Sequence, residues 1–323
     1  NSGIDQVPDY ADTSIESLQR YITGNSNSSD YATALVGKWH LAAGAADELD
    51  HPNQLGIDYF AGALQGNIED YYDWTLTENG VSRQSTDYQT TALTDLAIDW
   101  IASQEDPWFM WLAHNAPHSP FHEPPAELHS RSLDGSEADI ADRPRQYFLA
   151  AIEAMDSEIG RLLGSLPEEV RDNTVLIFVG DNGSPGRVIE GFERGHSKSS
   201  LYQGGLNVPL VVSGANVTRA GEREPSLVNT VDLYATIGKL LGSDANSAGD
   251  GLSFAHLLDG SGGSERDYNY AEFVSDDVSG WAVRSQNYKL IEYVDGSREF
   301  FDLLNDFDES NNLIAEAADY AAE

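Results

Sequence analysis

The stretch Thr174-Val-Leu-Ile-Phe-Val-Gly-Asp-Asn-Gly-Ser-Pro-Gly186 is an unbroken apolar run that ends in an acid, an amide and glycines. Continuous Val, Leu, Ile and Phe without alternation favours a strand covered on both faces, which is typical of a parallel sheet between helices. Such sheets carry their chemistry at the carboxyl ends of the strands, so Asp181 and Asn182 are candidate site residues. Their oxygens suit Ca2+ or Mg2+, although a plain turn after a strand is the alternative.

Two other predicted strands also end in polar side chains. Residues 31–39 predict a strand that ends at Lys38 and His40, before a flexible run of small residues at 42–46. Trp108–Ala113 predicts a buried strand that continues into a loop of three histidines and four prolines. Because prolines stiffen that loop, His118 is a candidate for proton transfer, with a purely structural histidine as the alternative.

The remaining patterns predict an α/β fold, with a mostly parallel sheet sandwiched by helices. Apolar residues recur with helical spacing, and strands or turns are indicated between them. The predicted helices cover 86–103, 144–163 and 227–241, the Asn79-Gly80 pair predicts a hairpin, and 208–213 predicts a strand. The run Gly260-Ser-Gly-Gly-Ser264 predicts a boundary between an α/β domain at 1–259 and a small antiparallel subdomain at 265–323.

The composition excludes several classes of function. Eighteen basic and 54 acidic residues give a net charge of -36, which would repel nucleic acid and anionic membranes and suits a saline environment. No cysteine is present, so disulfides, zinc-thiolate sites and thiol nucleophiles are excluded from this chain. The longest apolar runs are too short to span a bilayer, and the chain starts without a signal-peptide pattern. We therefore expect no nucleic-acid or membrane partner.

Lysine is rare, with only Lys38, Lys198, Lys239 and Lys289 in the whole chain. Because the chain uses lysine so rarely, we expect a lysine in it to have a specific role and not only to solvate the surface. Lys38 and Lys198 lie in the glycine- and histidine-bearing segments Gly37-Lys-Trp-His40 and Gly195-His-Ser-Lys198. A cation held near carboxylates is what an anionic substrate needs, so both are predicted to bind an anion.

Several motifs, taken in order and with their spacing, resemble the type I sulfatases of the alkaline phosphatase superfamily. They are Gly37-Lys-Trp-His-Leu41, Ala116-Pro-His-Ser-Pro-Phe121, Gly180-Asp-Asn-Gly183, Lys198-Ser-Ser-Leu-Tyr-Gln-Gly-Gly-Leu-Asn-Val-Pro209, Val231-Asp-Leu-Tyr-Ala-Thr236, Gly251-Leu-Ser-Phe254, Tyr288-Lys-Leu-Ile291, Phe301-Asp-Leu-Leu-Asn-Asp306 and Asn311-Asn-Leu313. The resemblance covers nearly the whole chain.

The resemblance implies a role for each candidate residue. Asp181 and Asn182 would be two metal ligands, with Ca2+ preferred over Mg2+. Lys38 and Lys198 would hold the sulfate oxygens. His118 would be the acid that protonates the leaving group, and His40 would partner the nucleophile. The family also implies a secreted or periplasmic protein, and the acidic surface favours a small sulfated substrate over a polysulfated polymer.

The chain departs from the family pattern at the nucleophile. The family uses a formylglycine made from Cys or Ser in a Cys/Ser-x-Pro-x-Arg motif, and the nearest match in this chain, Gly183-Ser-Pro-Gly-Arg187, has glycine at that position. The family's N-terminal strand with an Asp-Asp pair is also not matched. We expect a missing N-terminal segment or a second chain to complete the site, and otherwise a non-catalytic anion-binding protein. A phosphodiester or phosphonate monoester hydrolase of the same superfamily is the alternative activity.

Overall fold

The computed structural model describes residues 10–42, 48–243, 247–275 and 279–316. The first nine residues and most of the predicted small-residue run at 42–46 lie outside the described residues. The chain divides into two compact units. The N-terminal unit extends to Arg171 and includes Leu241–Ser243, and the C-terminal unit comprises Asp172–Leu240 and the chain that follows.

Helices and strands are interspersed along both units. The helices, in chain order, are α1 Leu18–Gly24, α2 His51–Gln54, α3 Gln89–Ala102, α4 Glu137–Asp142, α5 Pro144–Ser165, α6 Glu168–Asp172, α7 Gln203–Leu206, α8 Asp232–Leu240 and α9 Ala255–Asp259. The strands are β1 Ala32–Lys38, β2 Tyr59–Ala63, β3 Trp74–Glu78, β4 Val81–Ser85, β5 Trp108–Ala113, β6 Val175–Val179, β7 Leu210–Gly214, β8 Ser247–Ala248, β9 Gly251–Leu252, β10 Asn269–Val274, β11 Ser279–Arg284, β12 Tyr288–Tyr293 and β13 Arg298–Asp302.

The N-terminal unit is built on a five-stranded sheet in the order β4-β3-β2-β1-β5. Strand β1 pairs in parallel with both β2 and β5, and β2, β3 and β4 follow one another antiparallel. Helix α3 packs on β1 and β2 and against α5. Their apolar faces form the core with residues such as Val36, Leu93, Ala97 and Leu162.

The predicted hairpin is present between β3 and β4. Glu78 pairs with Val81, which leaves Asn79 and Gly80 as a two-residue turn with φ of 42° and 81°. Positive φ at both positions is the type I′ geometry that Asn-Gly favours, because its twist matches that of the strands.

The C-terminal unit contains three antiparallel sheets among its described residues. β6 pairs with β7, β8 pairs with β9, and β10 to β13 form a four-stranded meander. Leu201, Ala282, Ile291, Phe301 and Leu303 form a buried cluster on the meander. The presence of Leu201 in this cluster connects the Lys198 loop to the C-terminal sheet.

The α/β class and the small C-terminal antiparallel sheet are confirmed. β6 differs from prediction, because its described partner is antiparallel β7 and its residues are only half-buried.

The helix predicted over 227–241 begins at Asp232, whose carboxylate accepts the N–H of Asn229 at 2.8 Å and so closes a turn before the helix. Gly260, with φ of 72°, ends α9, and the domain division around 260–264 stays a prediction. Among the described helices, none has the length and apolar character needed to cross a membrane.

Candidate active site

The six predicted site residues divide between the two units. The N-terminal unit carries Lys38, His40 and His118, and the C-terminal unit carries Asp181, Asn182 and Lys198. We describe each group within its own unit and call them the histidine group and the acidic group.

Lys38 is the last residue of β1, at a point where three strands approach closely. A Cβ on Gly37 would lie 2.0 Å from the carbonyl oxygen of Ala113, and one on Gly62 would lie 1.8 Å from that of Gly37. Only glycine permits these contacts, because real Cβ atoms do not come so near a backbone oxygen. Since Gly37 is in parallel register with Ala113, Lys38 and the loop after β5 leave the sheet at the same edge.

His40 follows in the left-handed conformation, with φ of 63°. Its N–H donates to the carbonyl of Leu64 at 3.2 Å, and its exposed side chain rests on Gly66, where a Cβ would lie 2.1 Å from the imidazole Cγ. Between the two candidates, the indole of Trp39 donates to Nδ1 of buried His51 at 3.0 Å. The segment that carries Lys38 and His40 is therefore held by the contacts of both Trp39 and His40.

His118 is held by its own loop. Its N–H donates to the carbonyl of Asn115 at 2.8 Å, and its Nδ1 lies 2.9 Å from the carbonyl of Ser119. A carbonyl only accepts, so this bond requires the proton on Nδ1, which makes Nε2 the nitrogen that would exchange a proton with a substrate. Asn115 also donates to Gly66 at 3.4 Å, so the His118 loop and His40 both contact Gly66.

Sequence reasoning missed Tyr71, which supports the same loop. Its ring is fully buried, and its hydroxyl donates to the carbonyl of His118 at 2.8 Å. The ring also stacks on His122, with centroids 3.9 Å apart. The sequence signal was the aromatic segment that begins at Tyr71, but nothing local in it indicates which loop it supports.

In the acidic group, Asp181 and Asn182 come directly after β6 and are exposed. Oδ1 of Asp181 accepts the N–H of Asn182 at 2.8 Å, and Nδ2 of Asn182 donates to the carbonyl of Gly183 at 3.1 Å. Since the amide nitrogen is used in that bond, Oδ1 of Asn182 is the atom that would ligate a cation.

Backbone hydrogen bonds join this loop to the loop of Lys198. The N–H of Lys198 donates to Ser184 at 2.9 Å, and the N–H of Gly183 donates to Gly205 at 2.9 Å. A parallel β7 would require the Lys198 loop to return from the opposite edge of the sheet. Antiparallel pairing instead sets Leu210 at the start of β7 beside Val179 at the end of β6. The C-terminal unit therefore brings the loops of Lys198 and Asp181 together directly.

The residues fit a hard cation in part. A carboxylate and an amide oxygen are the donor types that Ca2+ and Mg2+ prefer, and Ca2+ takes about six to eight such oxygens. Within the described ranges no three or more His, Cys, Asp or Glu side chains are grouped so that they could hold a metal ion. Asp181 and Asn182 thus supply at most a part of a ligand set.

Gly183, the first residue of Gly183-Ser-Pro-Gly-Arg187, has a packing role. A Cβ there would lie 1.8 Å from the carbonyl oxygen of Gly204, so no larger side chain fits without moving the backbone. We expect Gly183→Ala to lower the free energy of unfolding by about 1–3 kcal/mol and to separate the two loops. Urea denaturation measures the first effect.

Gly195→Ala is the matched control for Gly183→Ala. It lies in the same loop region, but a Cβ there would meet no atom within 4 Å. We expect its effect to stay within about 0.5 kcal/mol. An equal loss in the free energy of unfolding for Gly183→Ala and Gly195→Ala would contradict the packing role of Gly183.

His114, the first residue after β5, makes the stability of the folded protein depend on pH. Both ring nitrogens are buried and have no hydrogen-bond partner within the described part of the chain, and burial lowers the pKa of His114 to about 4. The unfolded histidine binds its proton near pH 6.5, so between these values the unfolded state binds more protons and stability falls as the pH falls.

We expect His114→Leu to remove this contribution, which amounts to at most about 1.4 kcal/mol per pH unit between pH 6.5 and 4. Urea denaturation of both proteins across that range measures the difference in slope. Parallel curves for wild type and variant would show that His114 does not stay neutral in the folded protein.

Comparisons with known proteins identify the family of this chain. The sulfatase family model matches residues 14–243, and the model of the C-terminal region of N-sulphoglucosamine sulphohydrolase matches residues 192–322. Human N-acetylglucosamine-6-sulfatase is 28% identical over 271 residues, covering 71% of this chain and 47% of the relative. The uncharacterized sulfatase YdeN of Escherichia coli K12 is 26% identical over 234 residues, covering 64% of this chain and 40% of the relative. The chain thus spans about half the length of these curated relatives.

Solved structures share the fold. Ps i-CgsB in complex with k-i-k-neocarrahexaose has a TM-score of 0.78 at 23% identity, with 96% of this chain and 72% of that chain covered. A protein solved with its substrate D-glucosamine-2-N,6-O-disulfate has a TM-score of 0.75 at 20% identity, with 97% and 80% covered. Because the family model matches well over half of the residues, from 14 to 243, the chain belongs to the sulfatase family.

Proposed function

We propose that this chain, within its full-length protein, hydrolyses sulfate esters. The observation that carries the proposal is the backbone connection between the loops of Lys198 and Asp181, in a chain of the sulfatase family. It joins the loop that carries a cation to the loop that carries a carboxylate, as an anionic substrate bound through a metal requires.

The chemistry assigns one task to each residue. Lys38 and Lys198 bind the sulfate oxygens, whose negative charge must be stabilised throughout the reaction. His118 donates its Nε2 proton to the leaving oxygen as the ester bond breaks, so that an alcohol rather than an alkoxide departs. His40 accepts or returns a proton at the nucleophile, which the family resemblance identifies as a formylglycine.

A hard cation held in part by Asp181 and Asn182 would supply Lewis-acid stabilisation of charged oxygens. The carboxylate of Asp181 contributes a negative charge to that ligand set, and the Asn182 amide contributes a neutral oxygen. Both side chains are exposed and so are open to such an ion.

For the substrate we propose a small ester with a single sulfate. Two curated relatives are named for 6-sulfated amino sugars, N-acetylgalactosamine-6-sulfatase of Sus scrofa and human N-acetylglucosamine-6-sulfatase. The net charge of -36 works against the approach of polysulfated polymers at low salt, because like charges repel over about a Debye length.

The test compares two substrates of the full-length gene product, an aryl sulfate and an aryl phosphate diester with the same leaving group. We expect a higher kcat/KM for the sulfate. Preference for the phosphate diester would reassign the protein to phosphodiester hydrolysis, and turnover of neither substrate would favour an anion-binding protein.

A further inference from the structure

The C-terminal motifs Tyr288-Lys-Leu-Ile291 and Phe301-Asp-Leu-Leu-Asn-Asp306 have no role in the chemistry above. They nevertheless surround one buried ion pair within the C-terminal unit. Nζ of Lys289 lies 2.7 Å from Oε1 of Glu309, and the two side chains are 1% and 0% exposed. Burying two charges costs free energy, so the position of this pair calls for a reason.

The second carboxylate oxygen of Glu309 reaches the Lys198 segment. Oε2 accepts the backbone N–H of Gln203, the first residue of α7 and five residues after Lys198. One carboxylate thus connects β12, through Lys289, to the chain that carries Lys198. A hydrogen bond to a charged acceptor is stronger than a neutral one, and this one is shielded from water.

Other contacts join the same two segments. The ring of His196 stacks on Tyr202 with centroids 3.5 Å apart, and Tyr202 in turn contacts Phe301 edge-on at 6.0 Å. Leu201 is 2% exposed in the cluster formed with Ile291 and Phe301. The chain just before Gln203 therefore also packs on the C-terminal sheet.

The turn that presents Glu309 is itself fixed. Asp306 accepts the N–H of Ser310 at 3.0 Å and that of Asn311 at 2.9 Å. Glu309 has φ of 60°, a left-handed conformation that an isolated chain rarely adopts at glutamate. The conformation directs the carboxylate inward, where burial raises the pKa of Glu309 and lowers that of Lys289.

We propose that Glu309 is a positioning residue for Lys198, since its carboxylate, held by Lys289, fixes the backbone at Gln203 and with it the loop that carries the lysine. This inference rests on the proposed role of Lys198 in binding the sulfate oxygens. Lys289 acts one step further away, as the partner that keeps the carboxylate in place.

Two double variants of the full-length protein separate the hydrogen bond from the charge. Lys289→Met/Glu309→Gln removes both charges but keeps an oxygen that can accept from Gln203. Lys289→Met/Glu309→Leu removes the acceptor as well, with a side chain of similar size. The first is expected to keep kcat/KM for an aryl sulfate within about threefold of wild type. The second is expected to lose about 10–100-fold, as for a displaced catalytic group.

Two further readouts distinguish positioning from a general loss of stability. Amide hydrogen exchange across 197–206 is expected to rise in the Leu variant and to stay near wild type in the Gln variant. The loss in kcat/KM is expected to be equal for good and poor leaving groups, because the lysine contacts the sulfate. Leu257→Ala, a core substitution in α9 with 7% exposure at the wild-type residue, serves as a control with lowered Tm and retained kcat/KM.

Unchanged exchange at 197–206 in the Leu variant would overturn the inference, as would raised exchange with unchanged kcat/KM. Equal losses in the Gln and Leu variants would also overturn it, because the acceptor would then be irrelevant. Hydrogen exchange needs no turnover, so an inactive wild type with a normal exchange response would count against the proposed function and not against the Glu309 contact.

Discussion

Lys198→Ala is expected to lower kcat/KM of the full-length protein for an aryl sulfate by about 10²–10³-fold. The lysine is half-buried, and its backbone is tied to Ser184 in the loop that follows Asp181. Fixing the backbone of Lys198 lowers the reorganisation that its ammonium needs in order to stabilise sulfate oxygens. Steady-state kinetics with a substrate series of increasing leaving-group pKa measures the loss, which we expect to be uniform across the series.

Lys239→Ala is the control, because Lys239 lies in α8 and belongs to neither group of site residues. It removes the same charge from a strongly acidic protein, so it corrects for any effect of net charge on substrate approach. We expect it to change kcat/KM less than about threefold. Similar losses in Lys198→Ala and Lys239→Ala would assign the effect to charge alone and remove Lys198 from the site.

His118→Ala is expected to lower kcat about 10²–10⁴-fold for esters with poor leaving groups. The loss is expected to shrink as the leaving group becomes more acidic, because a stable leaving anion needs no proton. The fixed Nδ1 proton of His118, donated to Ser119, leaves Nε2 for this transfer. The measurement is the loss in kcat of His118→Ala across a series of esters, plotted against the pKa of the leaving group.

His256→Ala in α9 is the matched histidine control, since that ring contacts the carbonyl of Gly263 within the C-terminal unit. It is expected to leave the leaving-group dependence unchanged. A loss in His118→Ala that is the same for every leaving group would exclude proton donation and leave His118 with a structural role.

Local sequence patterns predicted the strands that end at the candidate residues. Apolar runs bounded by glycine, proline or charge are short-range signals, and β5 and β6 have the bounds expected from them. The Asn79-Gly80 turn was predicted for the same reason, because its backbone conformation depends on those two residues. The rarity of lysine was also informative, since it directed attention to Lys38 and Lys198.

Features that depend on distant residues were not predictable in this way. A continuous apolar run does not specify its partner, so the antiparallel pairing of β6 with β7 was missed. The need for glycine at 183 comes from Gly204, and the role of Glu309 comes from Gln203, 106 residues away. Strand β10 was missed because its residues alternate between half-buried and exposed at the edge of a small sheet.

A crystal structure of the full-length protein with inorganic sulfate bound tests the central claim most directly. We expect a bound sulfate with an oxygen about 2.7–3.2 Å from the ammonium group of Lys198, next to the loop that carries Asp181. A sulfate bound without contact to Lys198 would contradict the account, in which this lysine binds the sulfate oxygens.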